Sequence, residues 1–374
     1  MAHSPIRVLL VEDSPVALVV LKRLLDASPE IEVVGTARTG REAMALIPKI
    51  QPTVICTDLH MPEMDGLELT RAVMAHYPRP ILAISASVQQ ENTRNVFQLL
   101  DAGAVDVFPK PQEGFLAHRQ ETAAALIRKI KVLAGVSVFT KHCWKRGMDA
   151  TDRATGSGGK RRQLTHQMPT RKLSDRTAAI ASCSLAPPSK IVAIGASTGG
   201  PTALQTILKQ LSPNFPAPIF CVQHISKGFL QGLVDWLSFD LALSVKIAEE
   251  GELPQAGIVY FPPEQQHLEL DRHGRFLCSS KAAVSGHRPS ITVTFKSVAQ
   301  VYRGAAVGIL LTGMGSDGAE GLREIAQAGG ITIAQNEETC VVFGMPKTAI
   351  AIGAAQHTLP LTEIAPRLLA LLRS

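Results

Sequence analysis

Short apolar runs of strand length alternate with stretches of helical spacing along most of this chain. From Ile6 to about Val136, strands are predicted over 6–11, 32–35, 53–57, 81–84 and 104–108. Helices are predicted near 15–27 and 40–49, and between and after the later strands. The pattern stops, then restarts at Lys190. An apolar run there ends at Gly195, a helix is predicted over 202–211, and strands over 218–223, 257–261, 305–311 and 330–334. A further helix is predicted from Ala319 to Ala328. Such alternation implies an α/β fold of two doubly wound parallel-sheet domains, whose ligands gather at the carboxyl ends of the strands.

A length of 374 residues exceeds what one core usually organises, so two domains at 4–136 and 190–374 are expected. The segment between them, 137–189, has no sustained period, is rich in Ser, Thr, Gly and Arg, and ends in Ala-Pro-Pro-Ser; it reads as a flexible linker. Eleven basic residues between Lys141 and Lys190 face only Asp149, Asp152 and Asp175, a surplus larger than the whole chain's net charge of +6. The basic balance therefore belongs to the tether, and nucleic acid is not expected as a partner. No run of eighteen uncharged apolar residues occurs and no signal peptide is seen at the start, so a cytoplasmic protein without membrane insertion is expected. Six cysteines are scattered without any C-x-x-C, which favours core packing over disulfides or zinc.

In the first domain the polar residues follow the strands: Glu12 and Asp13 after the first, Asp58 after the third, Ser85 after the fourth and Lys110 after the fifth. Three carboxylates on one edge would repel one another and predict a bound hard cation, Mg²⁺ favoured, with Lys110 and Ser85 facing an anion at the metal. Val11-Glu12-Asp13-Ser14, Thr57-Asp58 through Asp65-Gly66, and Phe108-Pro109-Lys110-Pro111 resemble the response-regulator receiver family over the full domain. The resemblance implies a flavodoxin-like fold and phosphorylation of Asp58 by a histidine kinase. Glu12, Asp13 and Asp58 would be metal ligands, Lys110 and Ser85 would contact the phosphoryl group, and Phe108 would be the aromatic switch. A cis Lys110–Pro111 bond is expected to aim Lys110 inward.

In the second domain Ser197 sits in Gly195-Ala-Ser-Thr-Gly199, a G-x-S-x-G pattern at a strand-to-helix turn. The helix behind it aims unpaired N–H groups at the hydroxyl. His224 follows the 218–223 strand and Asp317 the 305–311 strand, so all three share one rim of a parallel sheet and suit a nucleophile, a base and an orienting acid. Their order, Ser, His, Asp, differs from that of the α/β-hydrolases. His267 competes for the base role, and Asp317 could instead cap the helix that begins at Ala319. The Met314 N–H in Gly313-Met314-Gly315, with Thr198 at the helix start, is the candidate oxyanion hole, against Met314 as core filler.

The Ser197 and Asp317 segments, with Gln223-His224, His287-Arg288-Pro289-Ser290 and Gly344-Met345-Pro346, resemble the catalytic domain of chemotaxis protein-glutamate methylesterases. That implies a Rossmann-like domain, with no cofactor, that hydrolyses γ-methyl glutamyl esters on methyl-accepting chemoreceptors and deamidates receptor glutamines. Thr292 departs from the family's usual aspartate, and the 262–267 segment lacks its usual glycines. A receiver in front implies a gate, in which the unphosphorylated receiver covers the Ser197 rim. The rivals are an interaction module with an inactive triad, and a transcriptional regulator, for which no helix-turn-helix pattern is seen.

Overall fold

A computed structural model describes residues 4–85, 90–111, 119–136, 138 and 190–373. Apart from Val138, the expected linker, with Cys143, Trp144 and the basic cluster at 160–162, lies outside the described residues.

The first sheet holds β1 (Ile6–Val11), β2 (Ile31–Ala37), β3 (Val54–Asp58), β4 (Ile81–Ser85) and β5 (Asp106–Pro109) in the order 2-1-3-4-5, all parallel. Helices α1 (Pro15–Leu25), α2 (Gly40–Ile50), α3 (Gly66–His76), α4 (Gln90–Ala102) and α5 (Arg119–Ala134) complete the alternation. Helix starts follow local chemistry: Ser14 Oγ accepts from Ala17 N–H ahead of Pro15, and Asp65 accepts from Glu68 N–H. Strands β3 and β4 are buried along their whole length, as expected of a parallel sheet covered on both faces.

The second sheet has seven parallel strands. They are β6 (Ile191–Ala196), β7 (Ile219–Gln223), β8 (Ser244–Ile247), β9 (Ile258–Phe261), β12 (Ala306–Leu310), β13 (Ile331–Gln335) and β14 (His357–Leu359), in the order 14-13-12-6-7-9-8. Strands β10 (His267–Leu270) and β11 (Phe276–Ser279) form a separate antiparallel hairpin. The helices are α6 (Gly200–Leu208), α7 (Leu230–Asp240), α8 (Ile291–Tyr302), α9 (Ala319–Gln327), α10 (Met345–Ala351) and α11 (Leu361–Arg373). The chain runs outward from β6 to β7 on one side and later restarts on the other with β12. The carboxyl ends of β12, β6 and β7 are thus neighbours at the point where strand order reverses, the usual place for a ligand in such sheets.

Helix α8 was not predicted. Its first residues, Ile291, Thr292, Val293 and Thr294, are all β-branched and read locally as strand. Its N-cap is the adjacent Ser290, whose Oγ accepts from Val293 N–H at 3.4 Å, and the distant Asp317 accepts from the N–H groups of Ile291 and Thr292.

The two domains touch through α4 and α7. Phe97 stacks on Trp236 with ring centroids 5.6 Å apart, and Asp101 accepts from Trp236 Nε1–H at 3.1 Å and from Gln205 Nε2–H at 3.4 Å. Val96, Phe97, Leu99 and Leu100 belong to the same buried apolar cluster as Leu230, Leu233 and Leu237. Val341 is packed between the apolar core of the first domain and the turn after Ser197: a Cβ on Gly199 would lie 2.6 Å from Val341 Cβ. No described helix is long and apolar enough to cross a membrane.

Candidate active site

Ser197 stands at the end of β6 on a turn held from three sides. Its N–H donates to Thr312 O at 3.0 Å, its carbonyl accepts from Gly200 N–H at 2.8 Å, and Gln223 Nε2–H donates to the same carbonyl at 2.8 Å. Gln223 also donates to His224 O at 2.8 Å, which ties the serine turn to the strand that carries the histidine. Both glycines of the G-x-S-x-G pattern have structural reasons. Gly199 has φ +76°, a conformation L side chains rarely adopt, and a Cβ on Gly195 would lie 2.3 Å from Ile291 Cγ2.

His224 Nε2 lies 2.9 Å from Asp317 Oδ2, and both side chains are buried. The carboxylate also accepts from Ser290 Oγ–H at 2.8 Å, Ile291 N–H at 2.8 Å and Thr292 N–H at 3.1 Å. Asp317 therefore sits on the N-terminus of α8, where backbone donors and the helix dipole favour a negative charge. Burial opposes its ionisation, yet the hydrogen bonds from His224, Thr292 and Ser290 prevail and hold the carboxyl well below the usual carboxylate range. Asp317 also accepts from Gly318 N–H at 3.0 Å, but it is not the N-cap of its own following helix: that position in α9 is Gly318, which makes no side-chain cap bond. Thr292 accepts from Gly318 N–H at 2.7 Å and adds no second charge beside Asp317.

With an ionised Asp317 as acceptor, Nε2 of His224 carries the proton. Its Nδ1 is buried and without a partner, so the neutral ring keeps an acceptor nitrogen. Strands β6 and β7 are neighbours and His224 N–H donates to Ala196 O at 2.9 Å, so serine and histidine share the rim as predicted. No hydrogen bond joins the Ser197 hydroxyl to His224 among the described residues; such bonds are often loose before substrate binds.

His287 lies parallel to His224, ring centroids 3.8 Å apart and planes within 3°. Reciprocal backbone bonds between Val284 and His287, both 3.0 Å, close the tight turn that presents it. Burial first, then the charge of His224, lowers its pKa from 6.5 to about 4. His267 has a different task. Its Nδ1 accepts from Ser290 N–H at 3.1 Å and its Nε2 lies 3.1 Å from Ala282 O, so it braces Ser290 behind Asp317 and has no nitrogen left to serve as base.

The N–H groups of Thr198 and Met314 donate to no described protein group. Gly313 abuts the nucleophile: a Cβ there would lie 2.6 Å from Ser197 Cβ. Met314 is 43% exposed, so it is not core filler.

In the first domain Glu12, Asp13 and Asp58 each bring a carboxylate oxygen within 4.8 Å of the others. Lys110 Nζ lies 2.7 Å from Glu12 Oε1 and 3.0 Å from Asp58 Oδ2. Burial lowers the lysine's pKa, but the bonds to Glu12 and the charge of Asp58 outweigh it and the net shift is upward. Burial likewise raises Glu12, against the bond from Lys110. Glu12 Oε2 is buried with no partner, which a hard cation would satisfy. Ser85 and Phe108 are buried at the ends of β4 and β5, and Lys110 N–H donates to Ser85 O at 2.8 Å. The cis X–Pro bond among the described residues is Arg288–Pro289, not Lys110–Pro111.

No sequence pattern assigns a role to Ser290, Gln223 or His287. Ser290 and His287 lie in a segment without clear periodicity, and the signal available was their place in the His-Arg-Pro-Ser motif.

Comparison with known proteins gives concordant findings. Residues 192–368 match the CheB methylesterase family and residues 8–118 the response regulator receiver domain. A protein-glutamate methylesterase/protein-glutamine glutaminase of Nitrosospira multiformis is 38% identical over 97% of this chain and 96% of its own length. One from Pseudomonas fluorescens is 39% identical over 97% of this chain and 98% of its own. The Thermotoga maritima CheB methylesterase catalytic domain, a crystal structure, is 42% identical, with TM-score 0.48, over 49% of this chain and 98% of that one.

Proposed function

This chain belongs to the protein-glutamate methylesterase/protein-glutamine glutaminase family, and on that premise we propose that it is a phosphorylation-activated serine hydrolase acting on chemoreceptor side chains. Its substrates are γ-methyl glutamyl esters, which release methanol, and receptor glutamines, which release ammonia. The observation that carries this reading is the His224–Asp317 pair, with an imidazole nitrogen left without a partner on the rim that holds Ser197.

The chemistry follows from those groups. Ser197 Oγ attacks the ester carbonyl while its proton passes to Nδ1 of His224, and Asp317 stabilises the imidazolium so formed. The N–H groups of Thr198 and Met314 are free to receive the oxyanion of the tetrahedral intermediate. Collapse breaks the C–O bond to methoxide, which takes the proton from His224 and leaves as methanol. Water, deprotonated by the same imidazole, then attacks the acyl-serine, and Ser197 recovers its proton as the glutamate is released.

Control resides in the first domain. Asp58 accepts a phosphoryl group from a histidine kinase, and Glu12, Asp13 and Asp58 are the residues that would hold Mg²⁺. Bound Mg²⁺ offsets the charge of the phosphoryl oxygens. Lys110 pairs with the same group, and Ser85 and Phe108 transmit its presence along β4 and β5. The contact of α4 with α7, and of Val341 with the apolar core of the first domain, is the surface that modification at Asp58 would loosen. An inert interaction module has no comparable use for a buried carboxylate–imidazole pair whose second ring nitrogen is left without a partner. Methanol release from methylated receptor, compared between wild type and Ser197→Ala, tests the proposal, and equal rates would refute it.

A further inference from the structure

A cavity of about 260 Å³ opens beside the catalytic histidine, lined by His224, Gln265, His287, Arg288 and Pro289 among others. Arg288 also lines a second, smaller hollow with Gln223, Lys227 and Glu264, so this residue borders both. One end of its guanidinium is anchored, because Nη1 donates to Ser280 O at 2.9 Å and Lys281 O at 3.2 Å. The other edge is not engaged. Nε is buried without a partner, and no described carboxylate pairs with this arginine.

The surrounding charges explain why that edge stays available. Lys281 is paired with Glu269 at 3.0 Å, and Glu264 is occupied by the N–H groups of Gly228 and Leu230 at 2.7 and 3.3 Å, at the start of α7. A buried guanidinium N–H left unpaired is costly, so a ligand that fills it gains a charge-assisted bond. An edge that presents Nε beside Nη2 matches a planar, two-oxygen anion.

We infer that Arg288 is a specificity residue that binds a second carboxylate of the substrate polypeptide, close to the scissile ester. The inference rests on the esterase reading above and names what that site selects: esters flanked by acidic side chains. The anchored Nη1 holds the fork in place before substrate arrives, so little side-chain freedom is lost on binding.

Two synthetic peptides test this with the full chain, activated at Asp58 by Mg²⁺ and a small-molecule phosphoryl donor. Each carries one γ-methyl glutamyl residue, flanked one helical turn away by glutamates in the first peptide and by glutamines in the second. Wild type is expected to favour the acidic peptide by about tenfold or more in kcat/KM, the range of a charge-assisted hydrogen bond. In Arg288→Gln that ratio should fall to about one. Arg288→Lys keeps the charge without the fork and should show a ratio below wild type; it supplies the same comparison should the glutamine variant fail to fold. A wild-type ratio near one, or a preference that survives in both variants, overturns the inference while leaving the esterase intact. No methanol from either peptide with wild type refutes the esterase reading, and this inference with it.

Discussion

His287 lies flat on His224, with ring centroids 3.8 Å apart and planes 3° from parallel. The pair has a consequence for stability against pH. The pKa of His287 is lowered from 6.5 to about 4 by burial, then by His224 and weakly by Arg128 of the first domain, with Asp317 opposing. A histidine whose folded pKa is depressed leaves the unfolded chain binding more protons. Its stabilising effect is complete above about 6.5 and is lost as pH falls toward 4. The melting temperature of wild type should therefore drop across that window, and His287→Gln should flatten the drop. Parallel curves for the two proteins would exclude this coupling.

Asp317 serves two structures at once, orienting His224 and capping α8. Asp317→Asn should lower kcat by about a hundredfold or more, because the amide can present its N–H and select the wrong imidazole tautomer. The same change should cost about 1–3 kcal/mol in a denaturant titration, as buried donors at the helix start lose a charged acceptor. A variant that loses activity at full stability would deny the capping role.

Asp101 lies on α4 and receives hydrogen bonds from Trp236 and Gln205 across the domain boundary. Asp101→Ala should weaken docking and raise methanol release by the unphosphorylated chain about tenfold or more, since each lost bond to a charged acceptor is worth about 1.5–3 kcal/mol. Unchanged or lower basal activity would mean that this contact is no gate.

The acidic cluster of the first domain makes a separate prediction. Mg²⁺ should raise the melting temperature of the full chain, because a ligand bound only by the folded state stabilises it. Asp13→Asn should abolish that rise. If the variant responds to Mg²⁺ as wild type does, the cluster at Glu12, Asp13 and Asp58 is not where the ion binds.

Much of this arrangement is legible in local pattern. Apolar runs such as 6–11 and 218–223 mark strands because a parallel sheet covered on both faces needs them continuous, and the polar residue that ends each run must lie at its rim. Ser197, His224 and Asp317, like Glu12, Asp58 and Lys110, were placed by that rule alone. The β-branched opening of α8 masks a helix whose local N-cap signal is Ser290 alone, because the charged acceptor of its first N–H groups, Asp317, is far along the chain.

Strand periodicity and strand-end chemistry are properties of neighbouring residues, and they specified two parallel-sheet domains and the rim of each. Only the packed chain decided which groups share that rim's interior. It seated Asp317 on α8 rather than on its own helix, turned His267 into a brace for Ser290, laid His287 on His224, and set Trp236 against Phe97 of the other domain. The reason is physical: these pairings are contacts between distant segments, chosen by strand order and close packing, and no local spacing records them.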